Sequence, residues 1–188
     1  MENKVIEEIR KFVEDECSKL DAWKGKEPYQ WHFIPVVNYC KLLAEKNNLS
    51  EDSREILEIA AWLHDIGSIT IGSENHHITS GEIAERKLRE LNYPKEKTAI
   101  VKKCIFSHRG SIKFDKESIE AVILADADAM SHFDDIQGLF QIAYAKELNR
   151  GQAREYVREK LIRSYNKLSE EGKEIAKSKY EAAMLLLS

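Results

Sequence analysis

The stretch Ile59-Ala60-Ala61-Trp62-Leu63-His64-Asp65-Ile66-Gly67 decides the fold. Its first five residues are all apolar and leave no polar face, and a helix that is apolar all round is a buried central helix. The residues before it, Ser50-Glu51-Asp52-Ser53-Arg54-Glu55-Ile56-Leu57-Glu58, read as its start. Ser50 or Asp52 can cap the first turn, where acidic residues also suit the helix dipole. Gly67 is placed to end the helix. The last turn then carries a histidine and an aspartate side by side in an apolar setting. An unpartnered buried carboxylate is costly. A metal ion is the partner that suits His64 and Asp65 together.

The surrounding chain supports a helical protein. It has 188 residues, enough for one domain with a sizeable core and too few for two comfortable ones. Three prolines and eight glycines, with abundant Glu, Lys, Leu and Ala, favour helix throughout, so the fold class expected is all-α, a single domain over 1–188. With 43% apolar and 33% charged residues, disorder is not expected. The formal net charge of −4 and the lack of a long basic run argue against a nucleic-acid duplex as partner. Cys17, Cys40 and Cys104 are odd in number and form no CxxC pair, which fits reduced core thiols. The N-terminal residues open a charged amphipathic helix rather than a signal peptide, and the run Leu185-Leu186-Leu187 is far too short to span a bilayer. A soluble cytoplasmic protein is the expectation.

Outward from the central helix, periodicity places the rest. A first helix over 2–20 carries Val5, Ile6, Ile9, Phe12, Val13 and Leu20 on one face. After a loop at 21–29, a second helix runs over about 30–47, with Pro35 near its start and a stripe of Val36, Tyr39, Cys40 and Leu43. His32 lies one turn earlier on that stripe. Beyond the central helix, 68–77 reads as a loop turning at Gly72. Thr79 and Glu82 have capping-box spacing for a helix ending at Asn92-Tyr93-Pro94. The next helix carries Ile100, Val101, Cys104 and Ile105, with His108 one turn beyond Cys104 and Gly110 closing it. Asp115 can cap a helix whose stripe is Ile119, Val122, Ile123, Asp126 and Met130. C-terminal helices follow at about 134–149, 152–168 and 170–187, broken near Gly151 and Gly172. Their apolar faces (Leu139, Phe140, Ile142; Tyr180, Met184, Leu187) cover the core or, alternatively, form a homodimer seam.

His32, His64, Asp65, His108 and Asp126 share one property: each falls on or beside an apolar helical stripe, where a polar group must find a partner. Any one of these histidines alone reads best as a hydrogen-bonded core residue. Five such residues on four helices are better explained by one shared site, whose nitrogen and carboxylate donors suit zinc, manganese or iron.

The ordered set His32, His64-Asp65 and Asp126 resembles the signature of the HD-domain metal-dependent phosphohydrolase superfamily. His64-Asp65-Ile66-Gly67 has that family's frequent HDIG form, and Ile123-Leu124-Ala125-Asp126-Ala127-Asp128 is similar to the helix that brings its last aspartate. His77-Ile78-Thr79-Ser80-Gly81-Glu82-Ile83-Ala84 resembles the HxxxGAEI segment of two-metal members such as the HD-GYP phosphodiesterases. Ile105-Phe106-Ser107-His108-Arg109-Gly110 resembles the segment supplying their next histidine. The resemblance covers about 30–130. It implies a helical bundle in which His32, His64, Asp65 and Asp126 hold one divalent ion (manganese, iron, zinc or magnesium), while Asp65 bridges to a second held by His77 and His108. His76 is the alternative to His77, although the spacing to Gly81 favours His77. Asp128 reads as supporting or solvated rather than as a ligand, and His132 as structural or exposed.

Several features depart from named branches. The acidic pair that follows HD in alarmone hydrolases is missing, Ser68 stands where the small nucleotidase branch has glutamate, and no GYP tripeptide follows His108. What the resemblance implies is therefore hydrolysis of a phosphate ester or anhydride of a small metabolite, with His64 and Asp65 at the catalytic centre and water activated by metal. Arg109 is the candidate phosphate clamp, with Lys102, Lys103 and Lys113 as alternatives. Trp31 and Trp62 adjoin proposed ligands and pack in the core or stack on a base. Two other function classes fit the same residues: a di-iron oxygenase, and a non-catalytic helical module that binds nucleotide or partner protein.

Overall fold

The computed structural model describes residues 4–19, 27–108 and 118–188, and every regular element among them is helical. At the centre is α3, Glu51–Leu63. Ser50 caps it, its hydroxyl accepting from the Ser53 N–H, and Ile59, Ala60, Ala61, Trp62 and Leu63 are all buried. Burying each large aliphatic side chain there stabilises by about 1.5–3 kcal/mol. Around α3 stand α1 (Lys4–Ser18), α2 (Ile34–Lys46), α6 (Lys95–Ser107) and α7 (Ile119–Ser131). A π-helical turn, Tyr29–Phe33, feeds directly into α2, whose first turn contains Pro35. This turn is pinned to α3 through Tyr29, which stacks on Trp62 with centroids 5.6 Å apart, and through the fully buried Phe33.

The end of α3 differs from the expected stop at Gly67. The helix ends at Leu63, and a short helix α4, Ile66–Thr70, follows at once, so much of the expected loop over 68–77 is helical. Gly67 is needed there for close approach. A Cβ on it would lie 2.7 Å from the Ser80 backbone nitrogen and 2.9 Å from the His76 carbonyl oxygen. The Gly67 N–H donates to Ser80 Oγ at 2.9 Å, which locks α4 against α5, His76–Glu90. That helix starts earlier than the sequence suggests. Asn75, at φ 54°, precedes it without a side-chain cap, and Thr79 donates to the His76 carbonyl instead of building a capping box with Glu82. Gly72 turns the chain between α4 and α5 at φ 140°.

Helix α5 packs along α6, and α7 crosses α2. Asp115 lies outside the described residues; Ser118 caps α7, accepting from the Ala121 N–H. The C-terminal helices are α8 (Ile136–Ala145), α9 (Arg150–Lys167) and α10 (Glu170–Leu186). Gly151 and Gly172 lie inside first turns rather than at breaks, because Asn149 (in a capping box with Gln152) and Ser169 set the helix starts. Both α9 and α10 pack on α7, so α7 is enclosed from Ile123 to Ser131. The expected covering faces divide: Leu139 and Leu187 are buried, whereas Ile142 is exposed, as are Tyr144 and Leu185 in the C-terminal helices. No helix among the described residues is long and apolar enough to cross a membrane.

Candidate metal centre

His64 and Asp65 stand at the junction of α3 and α4, where the backbone leaves helical geometry (Asp65 φ −113°) and turns both side chains into one cleft. Four histidine Nε2 atoms converge on Asp65. His32 from the π-helical turn lies 3.4 Å from Oδ2 and 3.1 Å from His64 Nε2, which is itself 3.8 Å from Oδ2. On the other side, His76 from the start of α5 and His108 at the end of α6 lie 3.2 and 3.4 Å from Oδ1. Ligands bound about 2.1 Å from a common ion stand roughly 3.0–4.2 Å from one another, so these separations suit two triads, His32–His64–Asp65 and Asp65–His76–His108.

The far nitrogen of each ring is fixed. His64 Nδ1 donates to the Ala61 carbonyl at 2.8 Å, His76 Nδ1 to Ser73 at 2.9 Å, and His108 Nδ1 to Ile105. A carbonyl only accepts, so Nδ1 carries the proton and Nε2 presents its lone pair to the cleft. For His32, Ser131 supplies the acceptor: its hydroxyl donates to the Asp128 carbonyl at 2.8 Å and receives His32 Nδ1–H at 3.1 Å. Asp65 Oδ1 is buried and makes no hydrogen bond with the described residues despite its two histidine neighbours. An orphaned buried carboxylate oxygen ringed by imidazole lone pairs fits a cation.

Electrostatics agree with this donor set at His64 and Asp65, whereas at His32 burial is outweighed by Asp65 and Asp128, which raise the ring's pKa. Burial pushes His64 down to about 4, against the pull of Asp65, so the ring is neutral at physiological pH. For Asp65, burial alone would favour the neutral acid, but His64, His108 and His32 outweigh it and hold the carboxyl well below its usual range. Asp128 is likewise held low despite its burial, chiefly by the Lys167 ammonium 2.8 Å from its Oδ2. Its Oδ1 faces His32 and His132, 3.9 Å from the Nε2 of each. His132 is anchored through Nδ1 to Ser164 at 3.0 Å.

Two residues expected at this centre are turned elsewhere. His77 is buried against Phe106, ring centroids 5.2 Å apart, one position and about 100° round α5 from His76. Asp126 faces the opposite side of α7 from Asp128. It accepts the Ser169 N–H at 3.0 Å on Oδ1 and the Ser169 hydroxyl on Oδ2, tying α7 to the start of α10. Arg109 and Lys113 lie outside the described residues, and Lys102 pairs with Glu85. Trp62 is core, whereas Trp31 is half exposed on the surface. Lys160 and Lys167 of α9 gave no local sign in the sequence. Only their seven-residue spacing could have placed them on one face.

No curated protein and no solved structure matches the chain. Residues 30–132 match the family model described as HD domain, more than half of the sequence. That span opens just inside the turn carrying His32 and closes at His132, so it takes in both triads and Asp128. With the match and the helical fold in agreement, the chain belongs to the HD-domain family, whose members are mostly metal-dependent hydrolases.

Proposed function

We propose that the protein is a metal-dependent phosphohydrolase with a binuclear centre. The observation that supports this reading is the division of Asp65, with Oδ2 facing one histidine pair and Oδ1 another. His32, His64, Asp65 and Asp128 would hold one cation, and Asp65, His76 and His108 the other. Divalent ions bound there supply the Lewis acidity that makes hydroxide available near neutral pH and offsets charge developing on a phosphoryl group.

The chain's own groups set the conditions for that chemistry. The Nδ1 hydrogen bonds lock four imidazoles in the orientation a ligand needs, so little reorganisation accompanies loading. His64 and His108 are closed off from water, whereas Asp65, His32 and His76 keep 24%, 22% and 17% side-chain exposure. The cleft is therefore open on the side where a substrate would enter. We also read the whole chain as one folded unit, because α9 and α10 rest on α7 rather than on each other alone.

The test is elemental analysis of purified protein together with a panel of phosphate monoesters, diesters and anhydrides. About two metals per chain and turnover of at least one phosphate class are expected, with Asp65→Ala lowering that rate by about a hundredfold or more. Protein that takes up no metal after reconstitution would overturn the reading. Iron accompanied by oxygen consumption would replace it with an oxygenase.

A further inference from the structure

Helix α9 lies wholly beyond the span that matches the family, yet one of its faces reaches the metal cleft. Ser164 holds His132, and Lys167 is paired to Asp128. Lys160 stands one turn before Ser164 and two turns before Lys167, at the i, i+4, i+7 spacing that defines one helical face. Val157 and Leu161 beside it are fully buried, so the face is seated against the body of the protein. Lys167 is neutralised by Asp128, and Arg163 points outward to Glu159 at 3.3 Å. Lys160 makes no ion pair or hydrogen bond with the described residues. Its charge nevertheless acts on His32 and His132, and it feels Asp128 and Asp65. The Lys160 side chain is half-buried, and burial disfavours its charged form more than Asp128 and Asp65 restore it. That form becomes favourable when an anionic oxygen fills its donors.

The charge balance of the cleft says what kind of anion that is. Among the described residues, the two carboxylates, Asp65 and Asp128, are matched by two ammonium groups, Lys167, which pairs with Asp128, and Lys160. The charge of any bound cations is thus left for the substrate to answer. On the phosphohydrolase reading above, we infer that Lys160 anchors the substrate, and that the site selects a phosphate group bearing two or more negative charges, a terminal monoester or a diphosphate, over a singly charged diester. Selectivity then comes from a helix outside the part of the chain that defines the family. The ligand set alone does not impose it.

The experiment is calorimetric titration of manganese-reconstituted protein with inorganic phosphate and with dimethyl phosphate at about pH 8, where the first is a dianion and the second a monoanion. Wild type should bind phosphate at least about tenfold tighter than dimethyl phosphate. Lys160→Met should lose about tenfold in phosphate affinity, keep its metal content and melting temperature, and change little towards dimethyl phosphate. Lys160→Arg should recover most of the loss. Equal phosphate affinity in wild type and Lys160→Met, or equal affinity of wild type for the two probes, would overturn the inference while the phosphohydrolase reading stands. Loss of metal in both Lys160 variants would also overturn it, marking Lys160 as a support of the fold. Metal-loaded wild type that binds neither probe and turns over no phosphate would sink the underlying reading itself.

Discussion

Asp126 and Asp128 stand two positions apart on α7, which turns their side chains about 200° from each other. One faces Ser169 and the start of α10; the other faces His32, His132 and Lys167. Both are buried among alanines and aliphatic residues, so the pattern of apolar neighbours could not say which one served the cleft. His76 and His77 pose the same problem on α5. Metal analysis separates the members of each pair. Asp128→Ala and His76→Ala should each lose close to one metal per chain. Asp126→Ala should retain both metals but lose roughly 1–2 kcal/mol of stability, because it leaves the half-buried Ser169 N–H without its acceptor. His77→Ala should likewise keep its metals. Metal loss in Asp126→Ala with full occupancy in Asp128→Ala would reverse the assignment.

At the scale of elements, the contact between α4 and α5 carries the site. His64 and Asp65 immediately precede α4, and His76 is the first residue of α5, so the spacing of these helices sets the distance between the two triads. Gly67 allows that spacing. In Gly67→Ala the added methyl would meet the backbone of Ser80 and His76 and also Thr79 Oγ1, and α5 must move to admit it. We expect a loss of about 1–3 kcal/mol in chemical denaturation and weaker retention of the cation proposed for His76 and His108. A Ser50→Ala change, at the far end of α3, should cost about 1 kcal/mol through the lost cap and leave metal content untouched. If Gly67→Ala proves as stable and as metal-replete as wild type, the close approach is not a constraint.

Across the whole molecule, the three cysteines report on cooperativity. Cys17 in α1, Cys40 in α2 and Cys104 in α6 are all free and buried at different places in one core. Burial pushes Cys17 and Cys104 up to about 12 and Cys40 well above its ordinary value, so essentially no thiolate is present at neutral pH. A thiol reagent should leave all three unreacted in native protein. With rising denaturant, the three should become reactive along one curve that coincides with loss of helical circular dichroism. Early labelling of Cys17 alone would show that α1 opens before the rest and would break the single-unit reading.

The sequence by itself determined the all-helical class, the buried α3 with a cap at Ser50 or Asp52, and the convergence of His32, His64, Asp65 and His108, with which it also grouped Asp126. These follow from local rules: helical periodicity, side-chain oxygens that satisfy open N–H groups, and the cost of burying polar groups without partners. Tertiary structure decided the rest. It chose His76 over His77 and Asp128 over Asp126 for the cleft, placed Gly67 in a helix-to-helix contact rather than at a helix end, and brought Lys160 and Lys167 beside residues more than thirty positions away. The physical reason is clearest on α7, which is buried along nearly its whole length. When a helix is buried on every side its periodicity no longer says which face meets which neighbour, and only the packing of α2, α3, α6, α9 and α10 around α7 assigns the faces.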